Sequence, residues 1–178
     1  MADTFNLKGE ALRKLLICAV DVSEQPVSTW NAANAIWEIQ GYKTEDASIG
    51  LNPQKTKVTD ILGDTYTDIE KFEAAISFEP NTLRMGAKLS ELMVKYWRNG
   101  QLEKFSQFPA LIGYGFIGVE GAFDADVYPQ STVTPNDLGG SSRVNMPFEL
   151  DFGGERKPGT IDKMRGSDMV FTPTVNVA

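Results

Sequence analysis

The residues closest to a known reactive motif are Gly113, Gly115 and Gly118, which form the pattern G-x-G-x-x-G. In dinucleotide-binding proteins this pattern follows a strand and opens a helix whose N-terminus binds the pyrophosphate. Here the glycines lie inside a stretch with strand composition, and the chain runs on to Pro129 without a helical pattern. We therefore predict that these glycines permit close approach of backbones where a sheet bends, and that they bind no nucleotide.

Carboxylates are the next candidates for chemistry, because two pairs are spaced like a general acid and its base: Glu70 with Glu73, and Glu149 with Asp151. Such a pair works only if a pocket raises the pKa of one member, and no sequence pattern indicates a pocket. The chain also contains no histidine, the commonest general base and the commonest metal ligand. We expect no catalytic residue, and we expect that the protein is not an enzyme.

A cation site and a reactive thiol are two further possibilities. Glu120, Asp124 and Asp126 lie close together, but they lack the spacing and the terminal glutamate of a calcium loop. Cys18 is the only cysteine and lies in the apolar run 15–20, so we interpret it as a buried thiol and not a nucleophile. We predict no metal and no cofactor. A single cysteine also suits a protein made in a reducing cytoplasm.

Length and charge set the remaining limits. A chain of 178 residues with 42% hydrophobic and 23% charged residues suits one domain, 1–178, with its own core. The net charge of −7 argues against a protein that grips DNA directly, because phosphate neutralisation needs clustered Lys and Arg. The N-terminus lacks the pattern of a cleaved signal peptide, and no apolar stretch approaches the ~18 residues that span a bilayer. We expect no membrane partner.

One α-helix is predicted over 83–99. Asn81 or Thr82 can cap its start and Asn99-Gly100 can end it. Its apolar residues recur at helical spacing and indicate a stripe that packs on a core: Leu89, Leu92, Met93, Tyr96 and Trp97.

Strands account for most of the remaining pattern. They are predicted over 12–22, 36–51, 55–62, 65–79, 111–119, 122–128, 144–152 and 160–164, with a loop over 129–142. The cleanest alternation of apolar and polar residues lies in 144–152. Several long strands and one helix predict a mainly β (α+β) fold, a sandwich or barrel with the helix packed on it.

Two segments indicate assembly. A long hairpin over about 39–69, which turns at Gly63-Asp64, exceeds what one small barrel needs. The uncharged stretch 169–178 is rich in β-formers, so it either pairs within its own sheet or docks on a neighbouring subunit. We assign arms to 1–10 and 165–178. The candidates for contacts between subunits are Tyr42, Ile49, Leu51, Val58, Ile61, Phe171, Val175 and Val177.

In the order of these parts the sequence resembles the phage major tail proteins, which form the tubes of long non-contractile tails. The similarity comprises the N-terminal arm, the hairpin (39–69), a strand leading into one helix (72–99) and a β-rich second half. Two further stretches also look like such a protein, 128–140 and 146–156. The layout covers most of the chain, and no short motif in it is diagnostic.

The resemblance implies two packed antiparallel β-sheets flanked by a helix, related to the tubes of contractile tails and of type VI secretion. Six subunits would form a ring, and the rings would stack through the hairpin and the arms. The channel would hold the tape-measure protein and later pass DNA without binding it specifically. The further partners would be the tail terminator and the distal tail proteins, and the protein would reside in the tail of the virion after synthesis in the host cytoplasm.

An acidic channel wall would repel phosphates and keep DNA from sticking. We hypothesise that five carboxylates face the lumen: Glu70, Glu73, Glu79, Glu149 and Asp151. Ordinary solvated charge on the outer face explains any single one of them equally well. Two other readings of the sequence stay open, a tail terminator or head–tail joining protein of related fold, and a small-molecule carrier barrel.

Overall fold

The computed structural model describes residues 13–42, 44, 47–166 and 168–174, and in this part the fold is mainly β with one α-helix. The strands are β1 Leu16–Asp21, β2 Trp37–Ile39, β3 Pro53–Thr59, β4 Thr65–Phe72, β5 Ala75–Phe78, β6 Phe108–Val119, β7 Ala122–Pro135, β8 Phe148–Asp151, β9 Lys157–Ile161 and β10 Phe171–Pro173. Helix α1 spans Lys88–Arg98. Short 3-10 turns lie at Arg13–Leu15, Val27–Thr29, Ala32–Asn34 and Leu102–Ser106.

An eight-stranded antiparallel sheet forms a half-barrel, and β3 and β4 form a second, two-stranded sheet. The large sheet runs in the order β10-β9-β7-β6-β1-β2. Strand β7 belongs to two layers, because residues 123–127 pair with β9 whereas residues 132–135 pair with β8, which in turn pairs with β5. This architecture confirms the predicted mainly β sandwich or barrel with one helix.

Strand β1 separates two hydrophobic cores. Cys18 and Val20 point into the core that α1 and the β5–β8 layer cover. Ile17 and Ala19 point the other way, into a core with Trp37. A strand that is buried on both faces reads as a continuous apolar run, which explains why this segment shows no alternation. Burial raises the pKa of the Cys18 thiol to about 12, so the thiol is protonated and inert.

The helix is shorter than the predicted 83–99 and begins at Lys88. Neither proposed capping residue caps it, because Asn81 and Thr82 donate side-chain hydrogen bonds to the strand-like segment around Asn145. Gly86, with φ of +86°, breaks the helical path before Lys88. The helix ends at Arg98, directly before the predicted stop.

Several strand predictions are wrong in their bounds. Among the described residues of the predicted strand 36–51, only Trp37–Ile39 form a strand, because the chain turns away at Gly41, which has φ of +103°. The predicted strand 65–79 divides into β4 and β5, which belong to different sheets. Residues 144–147 precede β8, and in this segment Val144 is exposed whereas Met146 is buried in the core.

The predicted loop 129–142 is also wrong, since β7 continues to Pro135. Pro129 does not end the strand because it lies at a register shift between β6 and β7, where the ladder is interrupted. Beyond this point Ser131 and Val133 are completely buried. The β7 strand thereby reaches the second layer.

The glycine pattern lies entirely within β6, and no helix begins there. A Cβ on Gly113 would come within 2.8 Å of side-chain atoms of both Ile17 and Ile161. At Gly118, with φ of +97°, a Cβ would come within 2.5 Å of the Ala122 carbonyl oxygen, which confirms the predicted close approach of backbones.

Candidate assembly interface

The β3–β4 hairpin projects from the body of the subunit. Every residue of both strands is exposed, on both faces of the two-stranded sheet. At its base, the Glu73 N–H donates to the Asn52 carbonyl over 3.4 Å, and the Asn52 side-chain amide donates to the Glu73 carbonyl over 3.0 Å. An isolated two-stranded hairpin is at best marginally stable in water. This hairpin therefore lacks the packing partner that a stable hairpin needs.

Large apolar side chains lie along this exposed hairpin. Val58 lies opposite Tyr66 in the register of the two strands, and their side chains are 52% and 55% exposed. Phe72, near the base, is 57% exposed. Paired aromatic and β-branched side chains stabilise a sheet when a partner covers them, so these residues form a ready contact surface.

The tip of the hairpin is ordered by Asp60. Its Oδ1 accepts hydrogen bonds from the backbone N–H groups of Leu62 (2.8 Å) and Asp64 (3.0 Å). The Asp60 N–H donates to the Asp64 carbonyl over 2.9 Å. This turn holds Ile61 and Leu62 in solvent with exposures of 102% and 82%. The molecule thus presents two large apolar side chains on a fixed loop.

The five carboxylates assigned to the lumen fall into two groups. Glu149 and Asp151 share the exposed face of β8, whose other face carries the buried Phe148 and Leu150. Glu79 directly follows β5, the neighbour of β8, and is exposed as well. The structure brings these three residues to one side of the β5–β8–β7 layer, where Ser77 and Thr134 flank Glu149.

Glu70 and Glu73 lie on the hairpin and not with the other three. Glu70 accepts a hydrogen bond from the Thr56 hydroxyl across the two strands. Glu73 forms an ion pair with Lys71, with 2.6 Å between Oε1 and Nζ, and the hydrogen bond from Lys71 lowers the pKa of Glu73. The environment of both carboxylates in an assembly therefore depends on where the hairpin binds.

The candidates for contacts between subunits also divide. Leu51 (58%), Val58 and Ile61 are exposed, and Tyr42 is exposed with the Arg84 guanidinium 4.2 Å from its ring centroid. Ile49 is half-buried and packs against the core that α1 covers. The prediction fails at Phe171, which is buried in its own subunit because β10 pairs with β9. Val175, Val177 and the arm 1–10 lie outside the described residues.

A groove of about 1040 Å³ lies beside α1, and sequence reasoning did not find it. Its apolar lining comes from α1 and from two loops that precede α1 and β8: Leu83, Met85, Val94 and Val144. Arginines 84, 98 and 143 stand around it. The sequence contains one signal for this groove, Gly86, because a glycine there can interrupt the predicted helix before residue 88. The interruption leaves the neighbouring Met85 exposed.

The described ranges show no arrangement for metal chemistry, since they contain no group of three or more His, Cys, Asp or Glu side chains that could hold an ion. Asp126 accepts a hydrogen bond from the Tyr114 hydroxyl (3.2 Å) and lies 3.6 Å from the Arg156 guanidinium. Burial, followed by the charge of Asp126, raises the pKa of Tyr114. Within the same ranges, no helix has the length and apolar character to cross a membrane.

The buried Asp21 is likewise structural. Its carboxylate accepts hydrogen bonds from the Trp30 indole (2.8 Å), the Ile36 N–H (2.9 Å) and both the N–H and hydroxyl of Ser23 (2.9 Å each). A buried carboxylate with all its acceptor positions used stabilises the loop between β1 and β2. The surface features suited to function are thus the hairpin and the groove, and both are suited to association.

Comparison with solved structures gives weak similarities, among them two chains of a contractile injection system. The chain is similar to the sheath/tube terminator of an extracellular contractile injection system, PVC, in the extended state, with 11% identity and a TM-score of 0.47 over 86% of this chain and 99% of that chain. It is also similar to a chain of the PVC sheath–tube complex in the extended state, with 10% identity and a TM-score of 0.45 over 86% of this chain and 93% of that chain. No protein-family model and no curated protein matches the chain. At these values the similarities define neither the family nor the function of this protein.

Proposed function

We propose that this protein is a non-catalytic structural subunit that assembles with copies of itself into rings, and that the rings stack into the tube of a long non-contractile phage tail. The stacking element is the β3–β4 hairpin. The order of parts along the chain, which resembles the major tail proteins, supports the choice of a tail tube among the possible assemblies. In this role the tube conducts DNA.

The observation that carries the proposal is the exposure of the hairpin on both faces. In a monomer the two-stranded sheet would leave Val58, Tyr66 and Phe72 exposed to water and would contribute nothing to the core. Such an exposed apolar surface is typical of a contact with another molecule. A neighbouring copy that covers these side chains removes their apolar surface from water. Burial of each large apolar side chain contributes about 1.5–3 kcal/mol to that contact.

Negative-stain microscopy of the purified full-length chain tests the proposal directly. Long regular tubes are expected from the wild-type protein at high concentration. The double variant Val58→Ser, Tyr66→Ser is expected to lose them, whereas Leu102→Ser removes a side chain that is 71% exposed elsewhere on the surface and keeps them. A wild-type protein that stays monomeric at every concentration contradicts the proposal.

The acidic lumen belongs to the same proposal. The exposed face of β8 suits a channel wall because Glu149 lies between Ser77 and Thr134, and Asp151 lies between Ala75 and Thr132, so that mainly polar groups face outward. Phosphates would be repelled from such a wall. Replacement of Glu149 and Asp151 by lysine in assembled particles is expected to slow DNA ejection, and unchanged ejection kinetics would remove this role.

A terminator or joining protein is the second candidate, and it differs in assembly. Such a protein forms a single ring, so microscopy would show rings that do not lengthen. The carrier barrel requires a closed apolar cavity in a monomer, which light scattering would reveal as a species of one-subunit mass. The groove beside α1 does not favour the carrier, because Met85 at its edge is completely exposed.

A further inference from the structure

The groove beside α1 has an apolar surface that its own subunit leaves open. Leu83 and Val94 pack against the core from its outer side, while Met85 and Val144 are 105% and 53% exposed. Together they line a groove of about 1040 Å³. Its volume is sufficient for several side chains of a neighbouring molecule.

The rim of this groove is mainly basic, although Glu91 also lines it. Lys95 is engaged by Glu24 of its own subunit, with 3.0 Å between Nζ and Oε1, and Arg84 lies over the Tyr42 ring. Arg98 and Arg143 have no carboxylate at ion-pair distance among the described residues. The groove is therefore complementary to a segment with apolar side chains at its centre and carboxylates on either side of them.

The hairpin tip has this composition. Ile61 and Leu62 are its two large apolar residues, and Asp60 and Asp64 flank them. Asp64, like Asp60, has no cationic side chain at ion-pair distance within the described part of the chain. The side chains of Ile61 and Leu62 are in solvent, so the tip does not occupy the groove of its own subunit.

We propose that the hairpin tip of one copy, residues 60–64, binds in the α1 groove of a second copy. Ile61 and Leu62 lie on Leu83, Met85 and Val144, and the carboxylates of the tip face the free arginines. The inference rests on the proposed function and deepens it, because it names the site in which the hairpin docks.

The geometry of this contact makes it repeat. Each copy offers one tip and one groove, so the contact is head-to-tail and passes from copy to copy, as stacking requires. The seven residues of β3 carry the tip roughly 24 Å from the base at about 3.4 Å per residue. A hairpin of this length reaches past its own subunit to a neighbour.

The first test removes the tip side chains. The variant Ile61→Ser, Leu62→Ser is expected to raise the critical concentration for assembly at least about a hundredfold, because each residue contributes roughly tenfold or more. Its fold is unaffected since both side chains are fully in solvent, and circular dichroism checks this. Leu102→Ser is the matched control, and equal effects in both variants would overturn the inference.

Mixing two defective variants gives a sharper result. The tip variant keeps its groove, and Met85→Asp, Val144→Asp keeps its tip, so neither is expected to form tubes alone. In an equimolar mixture the intact tip of one variant can bind the intact groove of the other, but this contact cannot repeat. Analytical ultracentrifugation is therefore expected to show each variant's own species joined in pairs, with no longer assemblies. A mixture that behaves as the sum of its components overturns the proposed contact.

Cross-linking separates this inference from the proposed function. Leu62→Cys mixed with Met85→Cys is expected to give a disulfide-linked dimer under mild oxidant, whereas Leu62→Cys mixed with Leu102→Cys is not. The native Cys18 is buried and gives little background. If wild-type tubes form but this cross-link does not, the tip binds elsewhere and the tube proposal stands. If the wild-type chain does not associate, both proposals fail.

Discussion

Strand β1 and the β3–β4 hairpin are opposite in their environments, although both are β-structure in one chain. β1 is buried on both faces between two cores, and the hairpin is exposed on both faces. Neither follows the alternation of a strand with one buried and one solvated face. β1 shows no alternation because other parts of the subunit cover both of its faces. The hairpin shows none because no part of the subunit covers either of its faces.

The contrast separates the residues that fold the subunit from those that assemble it. Val20 and Leu111 are fully buried, and their contribution to stability is realised in the single chain. The apolar side chains of the hairpin gain the same kind of contribution only when another molecule covers them. Stability and assembly therefore depend on different residues and can be changed independently.

The largest effect is expected from removal of the hairpin. The Asn52 and Glu73 backbones are hydrogen-bonded to each other, so a Gly-Gly linker can replace residues 53–72 without moving the ends. We expect stacking into tubes to be lost while the free energy of unfolding changes by less than about 1 kcal/mol. Urea titration and sedimentation measure the two quantities, and an unfolded deletion variant would show that the hairpin does stabilise the body.

A pair of phenylalanine substitutions compares the two regions residue by residue. Phe148→Ala removes a completely buried ring that packs on Phe78 at 4.9 Å between centroids, and we expect a destabilisation of about 3–5 kcal/mol. Phe72→Ala removes an exposed ring of the hairpin, and we expect a change within about 0.5 kcal/mol. Equal losses in urea titrations would contradict the division between the regions.

Glu38 tests whether a polar residue of the buried sheet contributes to stability. Its Oε2 accepts hydrogen bonds from the Lys88 N–H (2.7 Å) and the Leu89 N–H (3.3 Å) and so caps α1 from strand β2. Glu38→Ala is expected to cost about 1 kcal/mol, because two N–H groups of the first helical turn lose their acceptor. Glu73→Ala on the hairpin is the control, and its thermal midpoint is expected to equal that of the wild-type protein.

The smallest effect is expected from the pH dependence of Glu24. The hydrogen bond from Lys95, with a further one from the Tyr96 hydroxyl, lowers the pKa of Glu24 below its ordinary value of 4.5. A lowered folded-state pKa contributes stability above pH 4.5 that is lost as the pH falls through the folded value. Because both partners are partly exposed, Glu24→Gln is expected to cost less than about 1 kcal/mol at neutral pH.

Comparison with the wild-type protein at about pH 3 provides the check on Glu24, since the difference between the two proteins should shrink there. A difference that stays constant down to this pH would assign the effect to the geometry of the hydrogen bond and not to the charge. Glu73 provides a comparison with Glu24, because Lys71 lowers the pKa of Glu73 as well, but at a fully exposed position beside the hairpin.

The elements that the sequence predicts well are those whose residues carry their own signal. The alternation through Phe148 and Leu150 marks a strand with one buried face, and Asn99-Gly100 marks the end of α1. The glycine pattern predicts close backbone approach, and a Cβ on Gly118 would meet the Ala122 carbonyl oxygen at 2.5 Å. Local pattern suffices in these cases because the residue's own neighbours in sequence fix its environment.

The misplaced elements depend on distant partners. The sequence predicts the start of α1 too early, because Glu38, fifty residues before the helix, caps it, and neither Asn81 nor Thr82 does. The sequence also predicts the end of β7 too early, because the register shift that accommodates Pro129 forms only when β7 pairs with β6. The same holds for the predicted subunit contacts. The polar composition of the hairpin predicts that Val58 and Ile61 are exposed, whereas Phe171 is buried because β10 pairs with β9, which the local sequence does not indicate.

By itself, the sequence determined the mainly β class, the single helix and the presence of a long hairpin, because apolar periodicity, glycines and turn residues act over a few neighbouring positions. Only the tertiary structure decided which strands have two buried faces, which hairpin has none, and that an open basic groove forms beside α1. The physical reason is that burial is a property of contacts between residues far apart in the chain, and no local pattern records which surface a segment meets.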